Sequence, residues 1–316
     1  MQYKELMTSK FEEIIVELSY NCNLSCTMCG FGKDVNPFSK NKFLSFENYK
    51  TILSQVGSIT KTIRLNGRGE STIHPDFIEI LNYTKNAYPE LNINLFSNFS
   101  FSNKRILDAL IKNRVQLFIS MDSPNESELV KIRKGARFNY IEQNIKSLHE
   151  LPNRPFIIFT IQEENIHRIY DIAHFAFENN CSMLYNTIRR DEGIETFVAA
   201  VNQNLNSIAE QFEKVNQLFS NTGLQCLYPD QLAGIVIQVN KKTQTHGTMN
   251  SCPALEKELC ILYDGTTTPC NMFNPYVYGN IFSQSLAEIW NSVARLGFLT
   301  SHKNYYYCKN CANLGV

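Results

Sequence analysis

The sequence predicts an α/β protein that ends in a small cysteine-rich unit. Six apolar, strand-like segments alternate with five amphipathic, helix-like segments between residues 11 and 188, which is the pattern of βαβ units with parallel strands. These segments use only about 180 residues, whereas a closed eight-stranded barrel needs about 250. We therefore expect either an open sheet or a partial, TIM-like barrel.

The predicted elements follow one another at short intervals. Strands are expected at residues 11–18, 62–66, 92–97, 116–121, 155–161 and 182–188. Helices are expected at residues 46–56, 76–87, 104–112, 139–150 and 166–179, and Ser45 is suited to cap the first of them. After residue 190 the alternation stops, and we expect helices at 207–221 and 285–295 and a hairpin at 259–269. This change of pattern predicts a barrel domain over 1–200, an inter-domain segment over 201–250 and a second domain over 251–316.

The composition argues against several classes of protein. Lysine and arginine total 30, as do aspartate and glutamate, and this net charge of +0 is unlike that of a protein that binds nucleic-acid phosphates. No apolar run approaches the roughly 18 residues that span a bilayer, and residues 1–10 lack the apolar core of a signal peptide. We expect a cytoplasmic protein with no membrane or nucleic-acid partner, whose ten cysteines stay reduced.

Three cysteines follow the first predicted strand. Cys22, Cys26 and Cys29 form a C-x3-C-x2-C loop, which can place three thiolates around one inorganic centre. A [4Fe–4S] cluster needs four ligands, so three cysteines leave one iron open to the amine and carboxylate of S-adenosylmethionine (SAM). One-electron reduction of SAM there would release a 5′-deoxyadenosyl radical, which removes unactivated hydrogen atoms. The alternatives are a zinc site completed by a distant ligand and cysteines that only pack.

The cysteine loop and the turns after later strands resemble the radical SAM superfamily over nearly the whole chain. Members of that family are partial (β/α)6 barrels, so the resemblance implies this fold, with a [4Fe–4S] cluster and SAM as cofactors. It also implies that SAM lies against the following residues: Met28, Gly67, Gly69, Glu70, Asn98, Ser120, Asp122 and Arg133.

The turn at residues 66–71, Asn-Gly-Arg-Gly-Glu-Ser, resembles the family's Gly-Gly-Glu-Pro motif. By that resemblance Gly67, Gly69 and Glu70 would contact the SAM amino group, since glycine admits a close ligand and a carboxylate accepts from an ammonium. The turn departs from the motif at Arg68 and Ser71, which replace glycine and proline.

The remaining matches lie at strand ends and in the cysteine loop. Met28 stands where the family places a bulky side chain near the adenine, and Asn98 matches a Thr-Asn-Gly position. Ser120 and Asp122 match a Ser-x-Asp motif near the SAM ribose and carboxylate, and Arg133 would face that carboxylate. The competing interpretation of Asp122 and Arg133 is a helix cap and a solvated charge.

A second group of cysteines lies near the C-terminus. Cys252, Cys270, Cys308 and Cys311 can ligate one further centre completely, either an iron–sulfur cluster or a structural zinc ion. Their spacing, with Gly265 five positions before Cys270 and a terminal Cys308-x2-Cys311 knuckle, resembles the SPASM extension of radical SAM enzymes. The chain has only five residues after Cys311, so the resemblance implies the short, twitch-like form with one auxiliary [4Fe–4S] cluster.

Three cysteines remain outside both groups, and buried packing is the simplest interpretation of each: Cys181, Cys226 and Cys260. Cys226 is also a candidate catalytic residue, because it lies in the inter-domain segment where a substrate would approach. A thiol there would return a hydrogen atom to a substrate radical, as in radical SAM peptide epimerases. Those enzymes carry a cysteine next to the auxiliary ligand, where this chain has Asn271.

The resemblance implies an oxidoreductase that abstracts hydrogen from a small molecule or a peptide. Peptide maturases and epimerases are one alternative, and compact aminocyclitol dehydrogenases are single-cluster relatives. An electron donor such as flavodoxin or ferredoxin would be the protein partner. The alternative of another class is a non-catalytic zinc or iron–sulfur module that senses redox state or acts as a scaffold.

Overall fold

The protein is analysed as a computed structural model, which describes residues 11–31, 42–188, 194–229, 231–232, 235–236, 252, 254–271, 275–305 and 308. The strands are β1 (Phe11–Val16), β2 (Ser25–Cys26), β3 (Thr60–Arg64), β4 (Asn92–Ser97), β5 (Gln116–Ser120), β6 (Arg133–Lys134), β7 (Phe156–Ile161), β8 (Ser182–Thr187), β9 (Cys226–Leu227), β10 (Gln231–Leu232), β11 (Ile235–Val236), β12 (Glu258–Ile261), β13 (Thr266–Thr268) and β14 (Gly279–Asn280). The helices are α1 (Phe46–Val56), α2 (Phe77–Ala87), α3 (Lys104–Lys112), α4 (Glu126–Ile132), α5 (Phe138–Lys146), α6 (Ile169–Glu178), α7 (Ile194–Gln203), α8 (Leu205–Phe219), α9 (Ala254–Lys257), α10 (Leu286–Trp290) and α11 (Val293–Ser301).

One mixed sheet forms the centre of the molecule. Its order is β14-β13-β12-β1-β3-β4-β5-β7-β8-β9, and the strands from β12 to β9 are parallel. The six strands predicted from the alternating region lie side by side in chain order, as successive βαβ units require. Each lies within two residues of its predicted bounds.

The sheet separates two layers of buried side chains. Ile14 and Val16 of β1 belong to the main core, together with apolar residues of the helices. Ile15, between them in sequence, packs on the other face with Cys260 and Leu262, because successive side chains of a strand alternate between faces. The helices therefore cover one face of the sheet, and the interior of the partial barrel lies on the other.

The C-terminal unit continues the same sheet. Strand β12 pairs in parallel with β1, and β13 folds back on β12 through a turn in which Gly265 has a φ of +82°. A left-handed residue at a tight turn favours glycine, and this confirms the predicted hairpin. The domain boundaries near residues 200 and 250 stay a prediction, because the sheet itself runs through both parts.

Several local predictions need correction. The helix predicted at 285–295 is two helices, α10 and α11, because Ser292 caps a new helix after the first one ends. Helices α4 and α7 were not predicted, although Asn125 accepts from the backbone of Glu128 as an N-cap of α4. Ser45 caps α1 as predicted, by accepting from the Asn48 N–H.

In the described residues, no helix is both long enough and apolar enough to cross a bilayer.

Candidate active site at the carboxyl ends of the strands

The cysteine loop lies over the carboxyl ends of the parallel strands, where ligand sites of α/β proteins form. It continues from β1 and is hydrogen-bonded to two other segments. The backbone N–H of Glu70 donates to the Asn21 carbonyl at 2.8 Å, which joins the loop to the turn after β3. Strand β2, which contains Cys26, pairs with β6, which contains Arg133. The segments predicted to hold SAM therefore lie together.

The three cysteines of this loop are partly buried free thiols. Burial, with the nearby Glu70 carboxylate, raises the pKa of Cys22 to about 12. Burial also raises the pKa of Cys26, against the opposing effect of the Arg133 charge. Ligation needs thiolates, so cluster binding would release these protons. No group of three or more described His, Cys, Asp or Glu side chains is arranged for a single metal ion.

Glu70 is held in one orientation by donors from two neighbouring strand ends. Its Oε1 accepts from the Thr72 N–H at 3.1 Å, the Thr72 hydroxyl at 2.8 Å and the Ser97 hydroxyl at 2.9 Å. Its Oε2 accepts from the Asn98 N–H at 2.8 Å. A carboxylate oxygen can accept about two hydrogen bonds, so Oε2 keeps the capacity to accept from a ligand ammonium. The side chain is only 3% exposed, and its charge influences Cys22.

Gly67 and Gly69 are required by the close packing of the turn that contains Glu70. A Cβ at Gly67 would overlap the Glu17 side chain, and one at Gly69 would overlap the backbone of Ser19, Tyr20 and Asn21. Glycine at both positions therefore lets this turn approach Glu17, at the end of β1, and the start of the cysteine loop.

Asp122 and Arg133 form a buried ion pair beside Cys26. Arg133 Nε lies 2.7 Å from Asp122 Oδ2, although the atoms are not aligned for a hydrogen bond. Arg133 Nη1 lies 3.9 Å from the Cys26 sulfur. Burial alone would lower the pKa of Arg133, but the Asp122 carboxylate raises it, so the guanidinium stays charged. The interpretation of Arg133 as a solvated charge is wrong, since the residue is 8% exposed.

The other predicted contacts lie around this centre. Asn98 donates its side-chain amide to Asn23 of the cysteine loop at 2.8 Å. Ser120 is the last residue of β5, and Met28 packs partly buried against the core. Their contact with SAM stays a prediction.

Among the C-terminal cysteines, Cys252 lies two residues before α9, Cys270 two residues after β13, and Cys308 after α11. Cys252, Cys270 and Cys308 are partly buried and pack against the main core, while Cys311 lies outside the described residues. Tyr278 is 4% exposed, and its electrostatic interactions include Cys252 and Cys270. These two cysteines, separated by the hairpin in the sequence, therefore lie near one side chain.

The structure does not favour a catalytic role for Cys226. Cys226 is paired with Met183 across β9 and β8, so both side chains lie on the face that packs against the helices. Burial raises the pKa of this thiol to about 12, so it stays protonated, and the orientation of the side chain toward the helices is the observation that disfavours contact with a substrate. Cys181 and Cys260 are fully buried, in agreement with their predicted packing role.

Sequence reasoning missed two polar features of this end of the sheet. Glu17, which follows β1, is fully buried and forms a two-pronged ion pair with Arg68. Gln162, which follows β7, is also fully buried, and neither atom of its carboxamide has a hydrogen-bond partner. Both residues lie directly after a parallel strand, and this position in the sequence was the available signal that they belong to the site.

Comparison with known proteins decides the family. The model of the Radical SAM superfamily matches residues 16–176, which are 161 of the 316 residues. The chain belongs to the radical SAM superfamily. The model of the SPASM family, an iron–sulfur cluster-binding domain, matches residues 252–312 and spans all four C-terminal cysteines.

Individual relatives are similar over nearly the whole length. The cysteine-type anaerobic sulfatase-maturating enzyme of Clostridium novyi (strain NT) is 24% identical over 323 residues, covering 94% of this chain and 84% of that protein. The structure of native anSMEcpe with bound AdoMet (SAM) has a TM-score of 0.71 and 16% identity, covering 95% of this chain and 88% of that chain. The structure of Streptococcus suis SuiB bound to precursor peptide SuiA has a TM-score of 0.70 and 17% identity, covering 97% of this chain and 70% of that chain. These structures share the fold and confirm the predicted partial barrel with a C-terminal SPASM domain.

The cofactors of this radical SAM enzyme are SAM, a [4Fe–4S] cluster and an auxiliary iron–sulfur cluster. The residues of the cysteine loop fit the SAM-binding [4Fe–4S] cluster, because three partly buried thiols on one loop lie near Glu70 and Arg133. The fit is chemically specific, since thiolates are the usual protein ligands of iron–sulfur clusters.

Proposed function

We propose that the protein is a radical SAM oxidoreductase that removes a hydrogen atom from a C–H bond of a peptide substrate. The observation that carries this proposal is the placement of Glu70 and the Asp122–Arg133 pair beside the cysteine loop. A site for SAM needs an acceptor for the ammonium, a cation for the carboxylate and thiolates for the iron. All three are present at this end of the sheet.

In this proposal, Cys22, Cys26 and Cys29 hold the cluster and leave one iron open to SAM. A bound and reduced cluster would supply the one electron needed for cleavage of SAM to methionine and a 5′-deoxyadenosyl radical. The protein's own contribution is to fix the position of SAM before that cleavage, which favours reaction in a single geometry.

Glu70 and Arg133 would bind the two charged groups of the methionine part of SAM. Oε2 of Glu70 accepts a hydrogen bond from the SAM ammonium, while Asn98 and Ser97 hold the Glu70 carboxylate in place. Arg133 is fixed by Asp122 and Cys26, and its remaining guanidinium donors face no described acceptor, so they are available to a carboxylate. Charge-assisted hydrogen bonds of this kind contribute roughly twice the energy of neutral ones.

Cys252, Cys270, Cys308 and Cys311 are the proposed ligands of the auxiliary cluster. Abstraction of one hydrogen atom leaves a substrate radical, so an oxidation needs an acceptor for a second electron. A four-cysteine cluster without an open iron is suited to electron transfer rather than to SAM binding.

A peptide substrate is supported by the similar proteins rather than by a contact in this chain. One relative matures sulfatases, and SuiB was solved with its precursor peptide. We also propose a low-potential donor such as flavodoxin or ferredoxin as the protein partner. The cytoplasm is the proposed compartment, because thiols destined for iron ligation must stay reduced.

A deuterium-transfer experiment tests the substrate class. Reduced, cluster-loaded protein is incubated with SAM and deuterated cell extract, which is first divided into a peptide and protein fraction and a small-molecule fraction. The proposal expects deuterium in 5′-deoxyadenosine with the peptide and protein fraction. Deuterium only with the small-molecule fraction would contradict a peptide substrate, and a Cys22→Ala variant controls for exchange without radical chemistry.

A further inference from the structure

The ion pair between Glu17 and Arg68 lies between the two cysteine-bearing parts of the chain. Arg68 donates from Nε to Oε2 of Glu17 at 2.8 Å and from Nη2 to Oε1 at 2.6 Å. Its backbone N–H also donates to Oε2 at 2.8 Å. Glu17 is fully buried, and the Arg68 side chain is 15% exposed. Both the main chain and the side chain of Arg68 are thus fixed by a single carboxylate.

The same carboxylate also contacts the C-terminal hairpin. The backbone N–H of Tyr263, in the turn between β12 and β13, donates to Oε1 of Glu17 at 3.4 Å. The Tyr263 ring lies 6.1 Å from that of Tyr20, which the Arg68 guanidinium covers at 4.3 Å. Glu17 therefore joins β1, the turn at residues 66–71 that is proposed to bind SAM (the SAM-binding turn) and the hairpin that leads to Cys270.

A contribution to the stability of the folded protein does not explain a buried ion pair of this kind. Desolvation offsets much of the attraction between buried charges, and apolar replacements of such pairs are often neutral or stabilising. The pair does, however, impose a geometry, because a two-pronged arginine–carboxylate contact fixes both partners in one plane. Arg68 stands where the family motif has glycine, which has no side chain for this contact.

We propose that Glu17 and Arg68 are positioning residues that hold the SAM-binding turn against the first cysteine loop and against the C-terminal hairpin. This inference rests on the proposed function of the turn. Two neighbours of Arg68 make the mechanical link: Gly67 packs on the Glu17 side chain and Gly69 on the cysteine loop. Loss of the pair releases the turn on which Glu70 depends for its orientation.

The test compares cluster-loaded Glu17→Gln, Arg68→Gly and Glu17→Gln/Arg68→Gly with the wild type. The control is Lys104→Ala, which breaks an exposed ion pair with Asp108 on α3. SAM affinity is measured by equilibrium dialysis, the cluster environment by electron paramagnetic resonance (EPR) with and without SAM, and folding by thermal unfolding.

We expect Arg68→Gly to weaken SAM binding by at least about tenfold, and the double variant to regain thermal stability without regaining SAM affinity. In Glu17→Gln, the EPR signal of the auxiliary cluster should also change, whereas Lys104→Ala should leave every readout as in the wild type. Recovery of SAM affinity in the double variant would overturn the positioning role, as would unchanged affinity in folded single variants. Failure of the wild type itself to bind SAM would instead contradict the proposed function.

Discussion

Arg133 places its Nε 2.7 Å from Oδ2 of Asp122, and both side chains are almost entirely removed from solvent. The pair joins the end of β5 to the end of α4, and Arg133 also approaches the sulfur of Cys26. Asp122 is fixed from its other side, because its Oδ1 accepts from the Thr160 N–H of β7 at 2.7 Å. Strand β7, the segment after β5, the end of α4 and the cysteine loop are thereby held in one arrangement.

Removing one partner of the Asp122–Arg133 pair should therefore destabilise the folded protein. Arg133→Met leaves the Asp122 carboxylate buried and unpaired, which typically destabilises a protein by about 3–5 kcal/mol. The free energy of unfolding, measured anaerobically in urea, should fall by that amount, while Arg114→Met on the loop after α3 should have little effect. A loss near zero would show that the pair is solvated in solution.

Glu70→Gln should weaken SAM binding without unfolding the protein. The amide loses the negative charge and turns an NH2 group toward hydroxyl and N–H donors. The loss of a charge-assisted hydrogen bond is about 1.5–3 kcal/mol, or roughly tenfold to a hundredfold in affinity. Isothermal titration with SAM measures the change, and Glu79→Gln on α2 is the matched control. Equal affinities in the two variants would show that the turn does not bind the ammonium.

Gln162→Leu should separate fold stability from ligand binding. Each unsatisfied buried polar group costs about 1–3 kcal/mol, so leucine should raise the free energy of unfolding of the protein without SAM. If the carboxamide binds SAM or substrate, turnover should fall in the same variant. Higher stability with wild-type turnover would show that the Gln162 carboxamide binds neither SAM nor substrate.

Replacing Cys308 and Cys311 together with alanine should remove only the auxiliary cluster. Iron content should fall by about half, because each cluster holds four iron atoms. Reductive cleavage of SAM should persist, since the first cysteine loop is a separate segment, but substrate conversion should fail. Cys181→Ala, which changes a buried core cysteine outside both groups, should keep the full iron content. Unchanged iron in the double variant would assign zinc, or no metal, to these cysteines.

Local sequence patterns were sufficient for most of the barrel. Helix α1 and strand β4 have the predicted bounds, because apolar periodicity and a serine cap depend only on neighbouring residues. The pairing of β12 with β1 could not be predicted, since it joins segments more than 240 residues apart, such as Glu13 and Glu258. Short helices such as α4 also have too few apolar positions for a clear period.

The candidate site was predictable where a spacing carries chemistry. Cys22, Cys26 and Cys29 stand out because three thiols in eight residues are suited to one cluster. Arg68 was treated only as a departure from a motif, because its partner Glu17 lies 51 positions earlier in the chain. Gln162 has no local signature either, since only the folded structure shows that its amide is unpaired.

The most direct test of the account is the formation of 5′-deoxyadenosine from SAM by anaerobically reconstituted, reduced protein. The wild type should be brown, contain about eight iron atoms per chain and form 5′-deoxyadenosine, as two four-iron clusters require. A variant with Cys22, Cys26 and Cys29 replaced by alanine should retain about four iron atoms and form none. Iron-loaded wild type that leaves SAM intact, or equal product from the triple variant, would contradict the assignment of SAM cleavage to this loop.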